Sequence, residues 1–146
     1  MSNTRELWVI DANVILRFLL RDEEALAAKA ATILRSAQRG KAAVVCDPVT
    51  LAEVVYVPSS YYELPNEEIS DGLIPLLQTD GFLMTDTPRY LRALRLFRDT
   101  VKHFGDACAC AAALEECEGR LYSFDRKLSS VPGLKREEDV PSQAQS

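Results

Sequence analysis

Four acidic residues, far apart in the sequence, each stand where a short apolar segment meets a helical one. They are Asp11, Glu53, Asp106 and Asp125. In an α/β fold, parallel strands bring their carboxyl ends to one edge of the sheet, and ligands bind at that edge. We therefore predict that the four carboxylates converge in space.

Clustered carboxylates indicate a site for a hard divalent cation. Mg²⁺ and Mn²⁺ prefer oxygen ligands and keep several of their waters, so a few carboxylates per ion suffice. A bound ion lowers the pKa of a coordinated water, orients that water, and neutralises charge on a phosphate and its leaving oxygen. Such a site would support phosphodiester hydrolysis without a side-chain nucleophile.

Each acid also has an ordinary structural interpretation. Asp11 and Asp106 could be helix caps, and Asp125 could pair with the basic residues that follow it as surface charge. Glu53 is harder to explain in this way, because it lies in an apolar stretch and a glutamate is rarely buried without a partner. Together the four acids favour a functional site.

The elements that would position these acids alternate between strands and helices. Four short apolar segments predict strands, at 7–10, 43–46, 81–85 and 121–124, and the first is interpreted as the central one. This alternation predicts an α/β fold, a three-layer α/β/α domain in which helices cover both faces of a mainly parallel sheet of four or five strands.

The intervening segments carry helical patterns. Asp22 is a candidate cap for a helix that ends at Gly40, with four residues on one apolar face: Leu26, Ala30, Ile33 and Ala37. Asp47-Pro48 fits the start of the helix that carries Glu53, and Pro58 should kink or end that helix near Val57. Further helices are predicted at 67–77, along an apolar face between 90 and 101, and at 107–114.

Length and composition indicate one globular protein. We expect one domain at 1–135 and a polar, loosely ordered tail at 136–146. No run of about 18 apolar residues is present to span a membrane, and the start lacks the pattern of a secretion signal, so we expect a cytoplasmic protein. The net charge of -5 argues against nucleic-acid binding by bulk electrostatics, but it does not exclude a nuclease.

The cysteines and the single histidine suggest no second chemistry. The cysteines contain no CxxC pair, which favours free thiols in packed positions over a zinc site; they are Cys46, Cys108, Cys110 and Cys117. His103 precedes Asp106, but no serine or cysteine nucleophile with a third partner accompanies it, so a catalytic triad is not expected.

Four basic residues lie close in sequence to the acids. They are Arg17, Arg21, Arg126 and Lys127. Their side chains could contact RNA phosphates, or they could be solvated helix charge. The sequence does not separate these two interpretations.

Four blocks of sequence, each around one of the acids, resemble the conserved blocks of a known family. The blocks are VIDANVIL at 9–16, LAEVVY at 51–56, GDA at 105–107 and SFDRKL at 123–128. They resemble PIN-domain nucleases, in particular the VapC-type toxins of bacterial toxin–antitoxin pairs. The blocks occur in the family's order and spacing, and the resemblance extends from about residue 7 to residue 134.

The resemblance implies a Mg²⁺- or Mn²⁺-dependent endoribonuclease that acts on structured RNA such as transfer RNA. It implies that the four acids are catalytic and bind the metal, and that Asn13 and Ser123 support the site by hydrogen bonding. It also implies a homodimer and a cognate antitoxin that inserts a segment near the acids. Pro58 departs from the family's pattern, which leaves the shape of the region after Glu53 open.

Two other functional classes stay open. The chain could be a PIN-like scaffold that binds RNA or protein without nuclease activity. It could also be an acidic-pocket phosphoacceptor such as a receiver domain, but Asp11 has no adjacent acid and Glu53 would be an unusual acceptor.

Overall fold

The structure is a computed structural model, and it describes residues 5–141. These residues contain six α-helices, five short β-strands and one 3₁₀-helix. The strands are β1 (Glu6–Val9), β2 (Ala42–Val45), β3 (Phe82–Leu83), β4 (Arg120–Tyr122) and β5 (Lys135–Glu137). The α-helices are α1 (Ala12–Leu20), α2 (Glu24–Gln38), α3 (Pro48–Ser60), α4 (Asn66–Leu77), α5 (Thr87–Asp99) and α6 (Phe104–Glu116). The 3₁₀-helix is Arg126–Ser130.

The strands form two parallel sheets. The first has the order β1-β2-β3, with Val9 opposite Val45 and Val45 opposite Leu83. Its middle strand, β2, buries Ala43 and Val44 on opposite faces, as expected for a parallel strand covered on both sides. The second sheet contains only β4 and β5. The α/β class is therefore confirmed, but the main sheet has three strands instead of the predicted four or five.

The prediction that β1 is the central strand is wrong. It lies at the edge of the three-stranded sheet, and Leu7, Trp8 and Val9 are 67%, 58% and 79% exposed. Successive side chains of a strand point to opposite faces, so neither face of β1 is covered. An apolar run predicts a buried strand from composition alone, whereas the position of β1 in the sheet depends on which strands pair with it.

The start of α3 is confirmed, and of the two outcomes predicted at Pro58, a kink or an end of the helix, the end does not occur. Asp47 is the N-cap, with its Oδ2 accepting the Val49 N–H at 2.9 Å, and Pro48 is the first helical residue. The helix does not end near Val57 but continues through Pro58 to Ser60. Because Pro58 lies in the last turn, few backbone bonds depend on it.

The start of α2 differs from the prediction. Glu23 occupies the N-cap position without a capping bond from its side chain, and the side chains of both Asp22 and Glu23 accept hydrogen bonds from Arg17. Ala30 and Ala37 are buried as predicted, but Leu34 takes the place of Ile33, which is 41% exposed like Leu26.

Helices α4, α5 and α6 confirm the remaining helix predictions and supply much of the core. The hydroxyl of Ser70, fully buried on α4, donates to the Leu94 carbonyl of α5 at 3.1 Å. On the next pair, Arg89 of α5 forms ion pairs with Glu115 and Glu116 of α6. None of the helices within residues 5–141 is long and apolar enough to cross a membrane.

The predicted tail at 136–146 begins inside a strand. β5 includes Arg136 and Glu137, and Arg136 donates to the Ser123 carbonyl at 2.7 Å. Residues 142–146 of that tail, like residues 1–4 of the predicted domain, lie outside the described residues.

Candidate active site

Asp11 lies directly after the β1 edge strand and caps α1. Its Oδ1 accepts the backbone N–H groups of Asn13 at 3.0 Å and Val14 at 3.3 Å. The residue is exposed, and so is Asn13. The cap interpretation of Asp11 is thus confirmed, and it leaves the second carboxylate oxygen, Oδ2, free of the capping bonds. Asp11 can therefore be both a cap and a ligand.

Glu53 is exposed rather than buried in the apolar stretch around it. It shares the solvent face of α3 with Val49 and Tyr56, which are 73% and 61% exposed, while Leu51 and Val54 point into the core. The expectation that Glu53 is buried in this stretch, which favoured a functional role, is therefore wrong. Its helical position explains the apolar neighbours, because residues one apart face different directions.

Asp106 and Asp125 both lie near one buried cysteine, Cys110. Asp106 is in the first turn of α6, where the helix dipole favours a negative charge. Burial, followed by the nearby charges of Asp106 and Asp125, raises the pKa of the Cys110 thiol. Asp106 and Cys110 are one helical turn apart on α6, and Asp125 is near enough for its charge to act on the same thiol. Both acids are half-buried.

The loop that carries Asp125 is held by its own hydrogen bonds. Asp125 donates its backbone N–H to the Ser123 hydroxyl at 3.0 Å, and its Oδ1 accepts the Lys127 N–H at 3.0 Å, which caps the 3₁₀-helix. Arg136 adds a bond to the Ser123 carbonyl from β5. Ser123 therefore fixes the backbone in front of Asp125, in keeping with the supporting role that the resemblance implies.

The predicted convergence of four acids is absent from the single chain. Among residues 5–141, no three Asp, Glu, His or Cys side chains lie close enough together to hold a metal ion. Asp106 and Asp125 both lie near Cys110 of α6, whereas Asp11 follows a strand, β1, that is not paired with β4. The carboxylate donors suit a hard divalent ion by type, but one chain does not arrange them as a complete group. Their catalytic and metal-binding roles remain predictions.

Asp47 is a further acid at this edge of the sheet, and its sequence position predicted only the start of a helix. It follows β2 at the same offset as Asp11 follows β1, because Val9 and Val45 are paired. The two residues therefore stand side by side at the carboxyl end of the sheet, and each caps the helix after its strand. In the sequence, the feature that could have indicated Asp47 as a site acid is its position directly after a predicted strand, which it shares with Asp11.

The four predicted RNA-contacting residues differ in their exposure and in whether an acid already pairs with their charge. Arg17 is bound at 2.9 Å by both Asp22 and Glu23, so its charge is already paired. Arg21 is exposed and lies 5.9 Å from the Phe18 ring. Arg126 and Lys127 are exposed beside Asp125, and Arg126 has only a 3.9 Å contact with Glu138.

The cysteines are free, as predicted. Burial raises the pKa of Cys46 and of Cys108 to about 11, so both thiols are protonated near neutral pH. Cys117 is the exception to the packed positions, since it is exposed. His103 stands at the N-cap of α6 without a capping bond from its side chain.

Comparison with known proteins decides the family. A family model described as the PIN domain matches residues 8–134. The chain belongs to the PIN domain family. Searches of curated proteins and of solved structures gave no significant match.

Membership of the PIN domain family indicates a nuclease-type hydrolase, for which divalent metal ions are the usual cofactors. It also sets aside the receiver-domain alternative. The match covers all four acids, so each belongs to the PIN domain and not to an appended segment.

Proposed function

We propose that this PIN domain is a Mg²⁺- or Mn²⁺-dependent endoribonuclease that cuts structured RNA such as transfer RNA. The observation that carries the proposal is the pair formed by Asp106 and Asp125 beside Cys110, on a helix N-terminus and a capped loop. Carboxylates held in this way are preorganised, because their backbone is fixed before any ligand arrives. Asp11 and Glu53 are the further acids of the proposed site.

The RNA substrate is supported by the exposed cations beside Asp125. Arg126 and Lys127 stand within two residues of this acid and are free to meet a phosphate backbone. The chain as a whole carries a net charge of -5, so contact with RNA would depend on a few local cations and on shape. Structured RNA is recognised largely through its shape and backbone.

The toxin role is proposed from the resemblance to VapC-type toxins. Such a toxin needs an antitoxin protein, and the exposed apolar side chains near Glu53 offer it a surface. Val49, Tyr56 and Tyr61 are 73%, 61% and 74% exposed along and just after α3. An antitoxin segment that covered these side chains would also cover Glu53.

A PIN-like scaffold without nuclease activity is the second candidate. It is favoured by the absence, among residues 5–141, of a three-acid group in one chain. A scaffold would bind RNA or protein without needing that group.

Cleavage of end-labelled total transfer RNA separates the two candidates. Purified, antitoxin-free protein is tested with Mg²⁺, with Mn²⁺ and with a chelator, beside Asp106→Asn and the matched control Asp80→Asn, an exposed acid outside the site. The nuclease predicts discrete fragments that disappear with the chelator and with Asp106→Asn, but persist with Asp80→Asn. No cleavage by folded protein under any metal would favour the scaffold.

A further inference from the structure

The start of α6, which carries Asp106, is not fixed by a cap of its own. Asp106 lies in the first turn of this helix, and the N-cap residue, His103, makes no capping bond with its side chain. By contrast, the helices that begin after Asp11, Asp47 and Asp125 are each capped by that aspartate. The position of the Asp106 backbone therefore depends on other contacts.

Asn66 supplies two such contacts from a different helix. It is the first residue of α4, and its amide nitrogen, Nδ2, donates to the Phe97 carbonyl at 3.1 Å and to the Lys102 carbonyl at 3.0 Å. Both partners are acceptors, so only the NH₂ group of the amide fits between them. The N-cap of α4 is Pro65. The side chain of Asn66 thus serves the connection between α5 and α6 instead of capping its own helix.

The Phe97 carbonyl can accept this bond because α5 ends soon after it. In a continuing helix it would accept the Val101 N–H, but that group donates to the Leu96 carbonyl at 2.7 Å. The last carbonyls of a helix have no partner within the helix and need one from elsewhere. Asn66 supplies that partner at the end of α5, and through Lys102 it also holds the segment that leads into α6.

The connection between α5 and α6 is short and packed on its inner side. It covers residues 100–103, of which Val101 is buried. Phe97 and Phe104, at its two ends, meet edge to face with their ring centroids 5.7 Å apart, a geometry that aromatic pairs prefer. The hydrogen bonds of Asn66 and this aromatic pair therefore join the same two helix ends, and a shift of the first turn of α6 would disturb both.

We propose that Asn66 is a positioning residue for Asp106. Its two hydrogen bonds tie the start of α4 to the end of α5 and to the residue before the α6 N-cap, and they fix the first turn of α6, where the Asp106 carboxylate lies. A displacement of about 1 Å in a reacting group can cost about 100-fold in rate. The catalytic part of this inference rests on the proposed nuclease function, whereas the structural part does not.

Amide hydrogen exchange tests the structural part without any reference to activity. The Ala107 N–H donates to the His103 carbonyl at 3.0 Å and closes the first turn of α6. In Asn66→Ala, the loss of two hydrogen bonds should make this amide exchange about tenfold faster, while amides in the second half of α6 stay unchanged. Ser70→Ala is the matched control. It also removes a bond from α4 to an α5 carbonyl, that of Leu94, and it should leave the exchange of the Ala107 amide unchanged.

Asn66→Asp is a second variant that preserves the start of α4. It keeps the size of the side chain and places a negative charge at a helix N-terminus, where such a charge is favourable. Its ionised carboxylate has no proton to donate, so exchange of the Ala107 amide should again be faster. Unchanged exchange in both variants would overturn the inference. An equal effect of Ser70→Ala would also overturn it, because the amide would then report a general loosening between α4 and α5.

Steady-state cleavage of transfer RNA tests the catalytic part, at a temperature at which every variant is folded. Asn66→Ala should lower kcat by about tenfold, as expected for a residue that supports a ligand, and leave KM for RNA unchanged. Ser70→Ala should change neither constant. If Asn66→Ala keeps the full kcat of an active wild type, or changes KM alone, the positioning of Asp106 is wrong. If the wild type is inactive, the nuclease proposal fails, and hydrogen exchange still decides whether Asn66 fixes the start of α6.

Discussion

At the scale of single residues, several acids have a structural role that does not compete with a chemical one. Asp11 uses Oδ1 to cap α1, and Asp125 uses Oδ1 to cap the 3₁₀-helix. A carboxylate has two oxygens, so one can fix the backbone while the other faces a ligand. The choice between cap and ligand that the sequence poses is therefore not exclusive, and substitutions can separate the two roles.

Asp11→Asn and Asp11→Ala should differ in stability but not in activity. Asparagine caps a helix as well as aspartate does, whereas alanine loses the cap at a cost of about 1 kcal/mol. Both substitutions remove the carboxylate, so both should lower the rate of RNA cleavage by about 100-fold or more. That loss is larger than the usual loss when a residue that only supports a metal ligand is substituted. Urea unfolding and cleavage rates check this pair. An active Asp11→Asn protein would reduce Asp11 to a cap.

The buried thiols predict a loss of stability at alkaline pH. Burial, with a smaller effect of Asp47, raises the pKa of Cys46 from 9.0 to about 11. In the unfolded state the Cys46 thiol ionises near pH 9, whereas in the folded state it stays protonated to higher pH. Its contribution to the free energy of unfolding is therefore fully present below pH 9. That contribution is lost as the pH rises from 9 to 11. Urea unfolding across this range should show a smaller decline for Cys46→Ala than for Cys117→Ala, whose thiol is exposed.

At the scale of elements, the connection from α6 to β4 fixes the direction in which β4 leaves the helix. Glu118 and Gly119 both have positive φ, of 55° and 84°. A side chain at Gly119 would collide with the Gly133 carbonyl, because the segments that lead into β4 and β5 approach each other there. This tight turn decides that β4 packs beside α6.

Gly119→Ala should destabilise the protein by about 2 kcal/mol, because alanine at positive φ is strained and its Cβ has no room. Gly105→Ala is the matched control. Gly105 lies in the first turn of α6 at an ordinary φ, with no atom within 4 Å of an added Cβ. It should be neutral or stabilising by up to about 1 kcal/mol. Thermal unfolding of both variants measures the difference. Equal stabilities would mean that the turn at Gly119 adjusts to the added Cβ and contradict the prediction.

At the scale of the whole molecule, charge is distributed in local pairs rather than as a basic face. Arg98 on α5 is bonded to Asp71 and Asp99, which raises the pKa of its guanidinium, and Arg89 and Arg17 are paired in the same way. Arg89 and Arg98 of α5 therefore join neighbouring helices instead of offering a surface to RNA. Against a net charge of -5, the few exposed cations near Asp125 matter most.

The double substitution Arg126→Ala/Lys127→Ala should weaken RNA binding by about tenfold and lower the salt dependence of binding by about one to two phosphate contacts. Arg39→Ala/Lys41→Ala changes the net charge equally at exposed positions far from the acids in sequence, and it should have little effect. Binding of transfer RNA at several salt concentrations measures both. Equal losses would assign the effect to net charge rather than to these two side chains.

The sequence by itself indicated most of the elements and the family, although it did not predict α1 or β5. Local signals are enough for these, because the Asp47-Pro48 cap, the apolar face of α5 and the small residues of α6 act within a few residues of one another. Ordered blocks around the four acids likewise indicated the PIN domain, and the family match agrees. Where a local signal was ambiguous, as at Pro58 and Glu53, the position within a helical turn decided the outcome.

Only the tertiary structure decided which strands are neighbours and which acids meet. The apolar run of β1 predicts a buried strand equally well in a sheet of three strands or five, because periodicity carries no information about partners far along the chain. The turn at Gly119 and the core contacts of Leu128 and Val131 set β4 beside α6 and leave β1 open. Asp11 and Asp125 therefore follow strands that belong to different sheets.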